Sequence, residues 1–138
     1  MSDGMVIGKL YDIATTGEHP PDTDAVLIVD DEQDVLELAA ELLQTLGYDV
    51  LTAPNGFEAL AVLRKNSRIS ILFTDVQMPD MGGEDLAETA LASRPDIRVI
   101  FTSGYSRPRA EAPFLQKPYK VTDLIRVLAP QPVSSLRP

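Results

Sequence analysis

The chain has 138 residues, of which 44% are hydrophobic and 24% are charged, a composition typical of one globular domain. Its formal net charge of −9 argues against a nucleic-acid-binding surface, and its lack of cysteine excludes a disulfide framework and a thiolate metal site. No apolar run approaches the roughly 18 residues of a membrane span. Because the first residues also lack a signal peptide, the sequence favours the cytoplasm.

Both ends of the chain differ in composition from its middle. Residues 1–24 mix glycine, threonine, proline and charged residues without a sustained period, which predicts an N-terminal extension or linker. Residues 129–138 are rich in proline, which predicts a flexible C-terminal tail. A single domain is therefore expected over residues 25–128.

Short apolar runs alternate with helical patterns along this domain. The first run, AVLIV, is wholly apolar, as in a strand buried on both faces. Apolar residues then recur at helical spacing, and Gly47 is the stop signal; the residues of this pattern are Val35, Leu38, Ala39, Leu42, Leu43 and Leu46. The predicted elements, in chain order, are a strand at Ala25–Val29, a helix at Asp34–Leu46, a strand at Tyr48–Ala53, a helix at Phe57–Lys65, a strand at Ile69–Thr74, a helix at Glu84–Ser93, strands at Arg98–Thr102 and Phe114–Gln116, and a helix at Val121–Leu128.

This alternation predicts an α/β fold. Right-handed βαβ crossovers produce a doubly wound parallel sheet with helices on both faces. Ligands of such folds bind at the carboxyl ends of the strands, near the point where the strand order reverses. The residues that follow the strands are therefore the first candidates for a site.

Charged or hydroxyl residues follow four of the five predicted strands. Asp30 and Asp31 follow the first strand, Asp75 the third, Ser103 the fourth and Lys117 the fifth. Each residue alone has an ordinary explanation as a helix cap, a turn residue or a surface charge. Three carboxylates at one sheet edge repel one another and favour a hard cation, most naturally Mg²⁺. A metal, a lysine and a hydroxyl together suit the stabilisation of a transferring phosphoryl group.

Four segments resemble the receiver domain of two-component response regulators, which is CheY-like. They read VLIVDDE, LFTDVQMPDMGG, VIFTSGYS and FLQKPY, and the resemblance covers residues 25–128. It implies a flavodoxin-like fold of five parallel strands in the order 2-1-3-4-5. It also implies a phosphoprotein of a bacterial phosphorelay rather than a turnover enzyme. The implied phosphodonor is a histidine kinase or a phosphotransfer protein, whereas the downstream protein target and the oligomeric state are left open.

The resemblance assigns a role to each residue of the acidic edge. Asp75 would accept the phosphoryl group, and Lys117 would pair with Asp75 before the reaction and with the phosphoryl group afterwards. Asp31 would bind Mg²⁺ directly and Asp30 mainly through water. The backbone carbonyl of Gln77 would complete the protein ligands, together with Asp75 itself.

Other positions would form the switch that senses the phosphoryl group. Ser103 is the preferred hydroxyl because a small residue, Gly104, follows it, and Thr102 is the alternative. Phe114 matches the switch aromatic of the family, although a purely core role is equally open. Pro118 matches the position of the family's cis-proline.

The sequence departs from the family between the fourth and fifth strands. Residues 104–116 contain Pro108 and Pro113, so the fourth helix of the family is expected to be short or missing. Because that helix normally contributes to the output and dimerisation face, the standard dimer is in doubt. The chain is expected to be a stand-alone regulator or a receiver excised from a hybrid kinase.

Two other classes of function stay open. One is a pseudo-receiver that binds a partner regardless of phosphorylation. The other is a phosphatase with an aspartate nucleophile, which would require a second aspartate at the position of Gln77.

Overall fold

The computed structural model describes residues 25–104 and 112–128, which contain five strands and four helices. The elements alternate as the apolar pattern predicts. Their bounds are β1 (Ala25–Val29), α1 (Gln33–Thr45), β2 (Asp49–Ala53), α2 (Gly56–Lys65), β3 (Ile69–Asp75), α3 (Gly83–Ser93), β4 (Arg98–Ser103), β5 (Phe114–Gln116) and α4 (Val121–Leu128).

All five strands form one parallel sheet in the order β2-β1-β3-β4-β5. This order confirms the flavodoxin-like prediction. The order reverses at β1, which lies between β2 and β3. The carboxyl ends of β1 and β3 are therefore adjacent at the position where doubly wound folds bind ligands.

The sheet separates two apolar layers. Leu27 and Leu72 face the layer formed with α2 and α3, whereas Val26, Ile28 and Ile71 face the layer formed with α1 and α4. Successive side chains of a strand point to opposite faces, so a run such as AVLIV fills both layers at once. The wholly apolar strands of the sequence are thereby explained.

Local hydrogen bonds determine where several elements begin and end. The side chain of Asn55 accepts a hydrogen bond from the backbone N–H of Glu58 at 2.8 Å and caps α2. Gly47 follows α1 with a φ of 100°, a conformation that favours glycine, as the predicted stop signal requires. The predicted bounds differ from the observed ones by a few residues at most, which is ordinary for element ends.

One apolar residue of the predicted helical face points away from the core. Leu38 of α1 is 57% exposed, whereas Leu36, Ala39 and Leu43 are buried. The apolar residues at helical spacing in the sequence include Leu38, which is exposed, but not Leu36, which is buried. The apolar pattern indicates that a helix forms here, but it does not define the buried stripe to a single residue.

The connection between β4 and β5 is short. It comprises residues 104–113, of which Gly104, Ala112 and Pro113 are described and are not helical. A helix of the average length of about 11 residues does not fit into this connection. Residues 105–111 lie outside the described residues, as do the predicted extension, residues 1–24, and the predicted tail, residues 129–138. In residues 25–104 and 112–128, none of the helices combines the length and the apolar composition that crossing a bilayer demands.

Candidate functional site

The parallel register brings the polar strand ends to one edge. Asp75, the last residue of β3, is opposite Thr102 of β4, and Ser103 is opposite Gln116 of β5. The backbone N–H of Lys117 donates to the carbonyl of Ser103 at 2.8 Å, which continues the pairing of β4 with β5 beyond the strand end. Strand ends that are distant in sequence therefore meet at this edge.

Three carboxylates converge beside the switch point. One carboxylate oxygen from each of Asp30, Asp31 and Asp75 lies within 4.8 Å of the others. Asp30 and Asp75 are buried, with 3% and 6% of their surface exposed, whereas Asp31 is exposed. An oxygen-only ligand set of this kind suits a hard divalent cation such as Mg²⁺.

Lys117 provides the positive charge of the site. Its Nζ lies 2.8 Å from Asp30 Oδ2 and 3.4 Å from Asp75 Oδ2. The Lys117 side chain is only 16% exposed, so both ion pairs are largely shielded from water. The peptide bond between Lys117 and Pro118 is cis.

Both oxygens of Asp30 already have protein partners. Oδ1 accepts a hydrogen bond from the backbone N–H of Glu32 at 2.9 Å, and Oδ2 accepts one from Lys117 Nζ. By contrast, Asp31 faces an open cavity of about 330 Å³. The cavity is lined by Asp31, Glu32, Asp75, Gln77, Gly104 and Lys117. Within the acidic cluster, Asp31 and Asp75 thus both line this opening.

The electrostatics of Asp75 reflect its crowded position. Burial raises the pKa of the Asp75 carboxyl, and the negative charge of Asp30 raises it further. The charge of Lys117 and a hydrogen bond of 3.4 Å from the backbone N–H of Gln77 offset part of this rise. Burial and the charge of Asp30 therefore disfavour the ionised form of the Asp75 carboxyl.

The pKa of Lys117 is also raised, which for a lysine favours the charged form. Burial acts to lower the pKa of Lys117, but the hydrogen bond and charge of Asp30 and the charge of Asp75 outweigh it, so the pKa is raised. The ammonium group therefore stays protonated at neutral pH and is available as a fixed positive charge.

The candidate switch residues occupy the end of β4 and the start of β5. Ser103 is fully buried and Thr102 is 3% exposed, so burial does not distinguish the two hydroxyls. Phe114 is partly buried and packs against the core layer on the α2 and α3 side. Its ring therefore occupies a position next to β4, opposite Phe101 in the strand register.

Two residues that were not predicted from the sequence, Glu32 and Tyr119, also adjoin the site. Glu32 Oε1 lies 3.8 Å from Lys117 Nζ, and its position directly after Asp30 and Asp31 was the available signal. The ring of Tyr119 packs edge to face on Phe73 with centroids 5.8 Å apart. Burial, together with the charges of Asp30 and Asp75, raises the pKa of Tyr119 to about 12, which keeps the hydroxyl neutral.

The comparison with protein families identifies this architecture. The model of the response regulator receiver domain matches residues 26–129. The chain belongs to this family. Its receiver domain therefore belongs to the signalling modules of two-component systems, and the predicted resemblance is confirmed.

Relatives of this receiver domain include both a short regulator and a large kinase. It is 32% identical to the response regulator receiver protein CpdR of Brucella abortus over 108 residues, which cover 72% of this chain and 89% of CpdR. It is 35% identical to the sensor kinase CckA of Brucella abortus over 108 residues, which cover 72% of this chain but 11% of that kinase. The chain thus spans about a tenth of one curated relative and most of another.

The structural comparison agrees with the sequence comparison. The crystal structure of the receiver domain from the hybrid histidine kinase CckA superimposes with a TM-score of 0.67 and 37% identity. The superposition covers 74% of this chain and 93% of that domain. This receiver domain is thus similar in both sequence and fold to the receiver domain of CckA.

Proposed function

We propose that this receiver domain accepts a phosphoryl group on Asp75 from a histidine kinase or a phosphotransfer protein. One observation carries the proposal: the buried carboxylate of Asp75 has an oxygen within 4.8 Å of oxygens of Asp30 and Asp31, and it lies 3.4 Å from Lys117 Nζ. This arrangement combines a nucleophile, a cation-binding set and a fixed positive charge at one strand end.

The chemical step transfers the phosphoryl group from a donor to the Asp75 carboxylate. A carboxylate oxygen of Asp75 attacks the phosphorus atom of a phosphohistidine. As the new P–O bond forms, the P–N bond breaks, and the imidazole leaves with its electron pair and takes up a proton. A small acyl phosphate supplies the same group, with a carboxylate as the leaving group. Hydrolysis of the aspartyl phosphate by water returns Asp75 to its original state, so the domain acts as a switch rather than as a turnover enzyme.

The acidic cluster fits the Mg²⁺ that the family implies. Asp31 is exposed at the cavity and is the residue we assign to direct binding, together with Asp75 and the backbone carbonyl of Gln77. Both oxygens of Asp30 already accept hydrogen bonds, which supports a contact through water instead. When bound, Mg²⁺ neutralises the negative charge that Asp75 and the phosphoryl oxygens bring together.

Lys117 and Ser103 are the groups that we assign to sensing the phosphoryl group. The Lys117 ammonium already contacts Asp75 and would pair with a phosphoryl oxygen after transfer. Ser103 would donate its hydroxyl to a second oxygen, and Phe114 would adjust its packing beside β4. This rearrangement would alter the affinity for a downstream protein.

A histidine kinase of the CckA type is one donor class that the similarity supports. CckA is a sensor kinase in one comparison and a hybrid histidine kinase in the other. The similarity to CpdR supports a separate short regulator equally well.

We propose that residues 1–24 are an extension and residues 129–138 a tail, both outside the receiver domain. We also propose that the partners of the domain are proteins rather than nucleic acids, because the net charge of the chain is −9.

The decisive experiment is phosphorylation by acetyl phosphate followed by intact mass measurement. We expect one phosphoryl adduct in the presence of Mg²⁺ and none when the metal is chelated. Asp75→Asn should abolish the adduct, whereas Asp80→Asn, which alters an exposed carboxylate in the following loop, should retain it.

Two results would contradict the proposal. An adduct that persists in Asp75→Asn would place the phosphoryl group elsewhere. No adduct on the wild-type chain, under conditions that modify another receiver domain, would instead favour a pseudo-receiver. Repeated turnover of a phosphate ester would point to the phosphatase alternative, although Gln77 occupies the position of that class's second aspartate.

A further inference from the structure

The first residue of α3 lies against the backbone of Asp75. A Cβ atom added to Gly83 would be 2.1 Å from the Asp75 carbonyl oxygen, 3.0 Å from its carbonyl carbon and 3.1 Å from Val76 Cα. The nearest of these atoms is far inside van der Waals contact, and all three belong to the backbone. No rotation of a side chain can therefore relieve the overlap.

The requirement for glycine at this position is one of space. Gly83 lies within the helical segment Gly83–Ser93, where other residues adopt the same conformation readily. Gly47 differs, because its φ of 100° itself favours glycine. At Gly83 the missing Cβ instead permits α3 to approach β3 directly.

Hydrogen bonds hold this close contact on both sides. The backbone N–H of Gly83 donates to the carbonyl of Val76 at 2.8 Å and closes the loop that contains Gln77. The hydroxyl of Thr74, which is fully buried, donates to the carbonyl of Asp75 at 3.0 Å. The Asp75 carbonyl is thus confined between Thr74 and the start of α3.

We propose that Gly83 is a positioning residue for the phosphoacceptor site. It allows α3 to fix the backbone that carries the Asp75 carboxylate and the loop that carries the Gln77 carbonyl. A side chain at this position would displace both groups together, although Gly83 contacts neither the metal nor the phosphodonor. This inference rests on the proposed function for its reaction but not for its geometry.

The neighbouring glycine provides a matched control. Gly82 precedes α3 in extended backbone, with φ −67° and ψ 159°. A Cβ atom at Gly82 would lie 3.5 Å from the Val76 carbonyl oxygen, which is an ordinary contact. Gly82→Ala therefore adds the same methyl group to the same loop without the overlap.

The experiment compares Gly83→Ala and Gly82→Ala with the wild-type chain by three measurements. Calorimetric titration gives the Mg²⁺ affinity without a phosphodonor, NMR gives the backbone amide shifts of Asp75, Val76 and Gln77, and intact mass against time gives the rate of phosphorylation by acetyl phosphate. For Gly83→Ala we expect shifted amides and an Mg²⁺ affinity lower by about tenfold or more, as when a supporting group of a metal site is lost. We expect phosphorylation to slow by about 10²-fold, the effect of displacing a reacting group by about 1 Å. Gly82→Ala should match the wild type in all three measurements.

Several outcomes separate the two proposals. Wild-type affinity and wild-type rate in a folded Gly83→Ala would overturn the positioning role. If the wild type itself is not phosphorylated, the proposed function fails, but the Mg²⁺ affinities and amide shifts still test Gly83. If Gly83→Ala is destabilised, the variant and the wild type are both measured with an osmolyte that is excluded from the protein surface, because such an osmolyte favours the folded state. A variant that remains unfolded there would assign Gly83 to folding alone and overturn the proposal.

Discussion

Lys117 Nζ lies closer to Asp30 Oδ2, at 2.8 Å, than to the carboxylate that we assign as the phosphoacceptor, at 3.4 Å. In this structure the shortest contact of the lysine is therefore with Asp30, the chain neighbour of Asp31. Transfer of a phosphoryl group would bring new oxygens towards the same ammonium group. We therefore expect the lysine to redistribute its contacts when the domain is phosphorylated.

The first prediction is that Lys117→Ala destabilises the metal-free domain. Removal of one partner of a buried ion pair leaves Asp30 and Asp75 uncompensated, which costs about 3 kcal/mol in the free energy of unfolding. Mg²⁺ should restore part of this loss, because the cation neutralises the same carboxylates. Denaturant unfolding with and without Mg²⁺ measures both effects.

Lys120→Ala is the control for this experiment, since Lys120 is a nearby lysine whose side chain is exposed. It should leave the unfolding free energy nearly unchanged. Phosphorylated Lys117→Ala should also lose any change in partner affinity. Normal phosphorylation-dependent binding in that variant would contradict the role assigned to the lysine.

The second prediction is that Asp75→Asn stabilises the metal-free domain at neutral pH. The raised pKa of Asp75 means that its ionisation weakens the folded state, through burial and the charge of Asp30. The protonated carboxyl of Asp75 favours the folded state. This stabilisation is complete below the ordinary carboxyl pKa and is lost as the pH rises through the raised pKa. The thermal midpoint of the variant should exceed that of the wild type at neutral pH, and the difference should shrink in acid. A lower midpoint at neutral pH would contradict the electrostatic description.

The third prediction concerns the switch hydroxyl. Ser103→Ala should still accept the phosphoryl group, but phosphorylation should no longer change its partner affinity, because the donor to the phosphoryl oxygen is gone. Thr102→Val preserves the shape of its side chain and should switch normally. The comparison uses affinity for the downstream partner before and after phosphorylation. The reverse pattern would transfer the role to Thr102.

The fourth prediction concerns Arg94, which lies at the opposite end of the sheet. The Arg94 guanidinium donates to the carbonyls of Asn66 at 2.8 Å and Ile69 at 3.0 Å, and also to the carbonyl of Leu63. Lysine cannot reproduce this planar arrangement of donors. Arg94→Lys should therefore lower the free energy of unfolding by about 2 kcal/mol.

Because these contacts lie far from the carboxyl edge, the Mg²⁺ affinity of Arg94→Lys should equal that of the wild type. Arg64→Lys, at an exposed position in the last turn of α2, is the matched control and should not change the unfolding free energy. An unchanged stability in Arg94→Lys would show that water replaces the lost donors.

Much of the fold could be predicted because its signals are local. Wholly apolar runs such as AVLIV indicate strands buried on both faces, and Gly47 marks the end of a helix through its conformation. The strand order came from the resemblance to a family rather than from periodicity. Leu38 shows the limit of the pattern, since an apolar residue at helical spacing is exposed.

The sequence alone determined which polar residues follow the strands, since a polar residue after an apolar run ends that run and is visible without coordinates. Only the tertiary structure decided how these residues pair. Lys117 contacts Asp30 and Glu32 across more than 80 positions of chain, a proximity that depends on parallel register and not on any local pattern. The tertiary structure also decided which of two adjacent glycines, Gly82 and Gly83, lies against the backbone of Asp75, and it is Gly83. The residue types at each strand end can be read from neighbouring positions of the chain, whereas the distances between strand ends arise only when the sheet and its helices pack together.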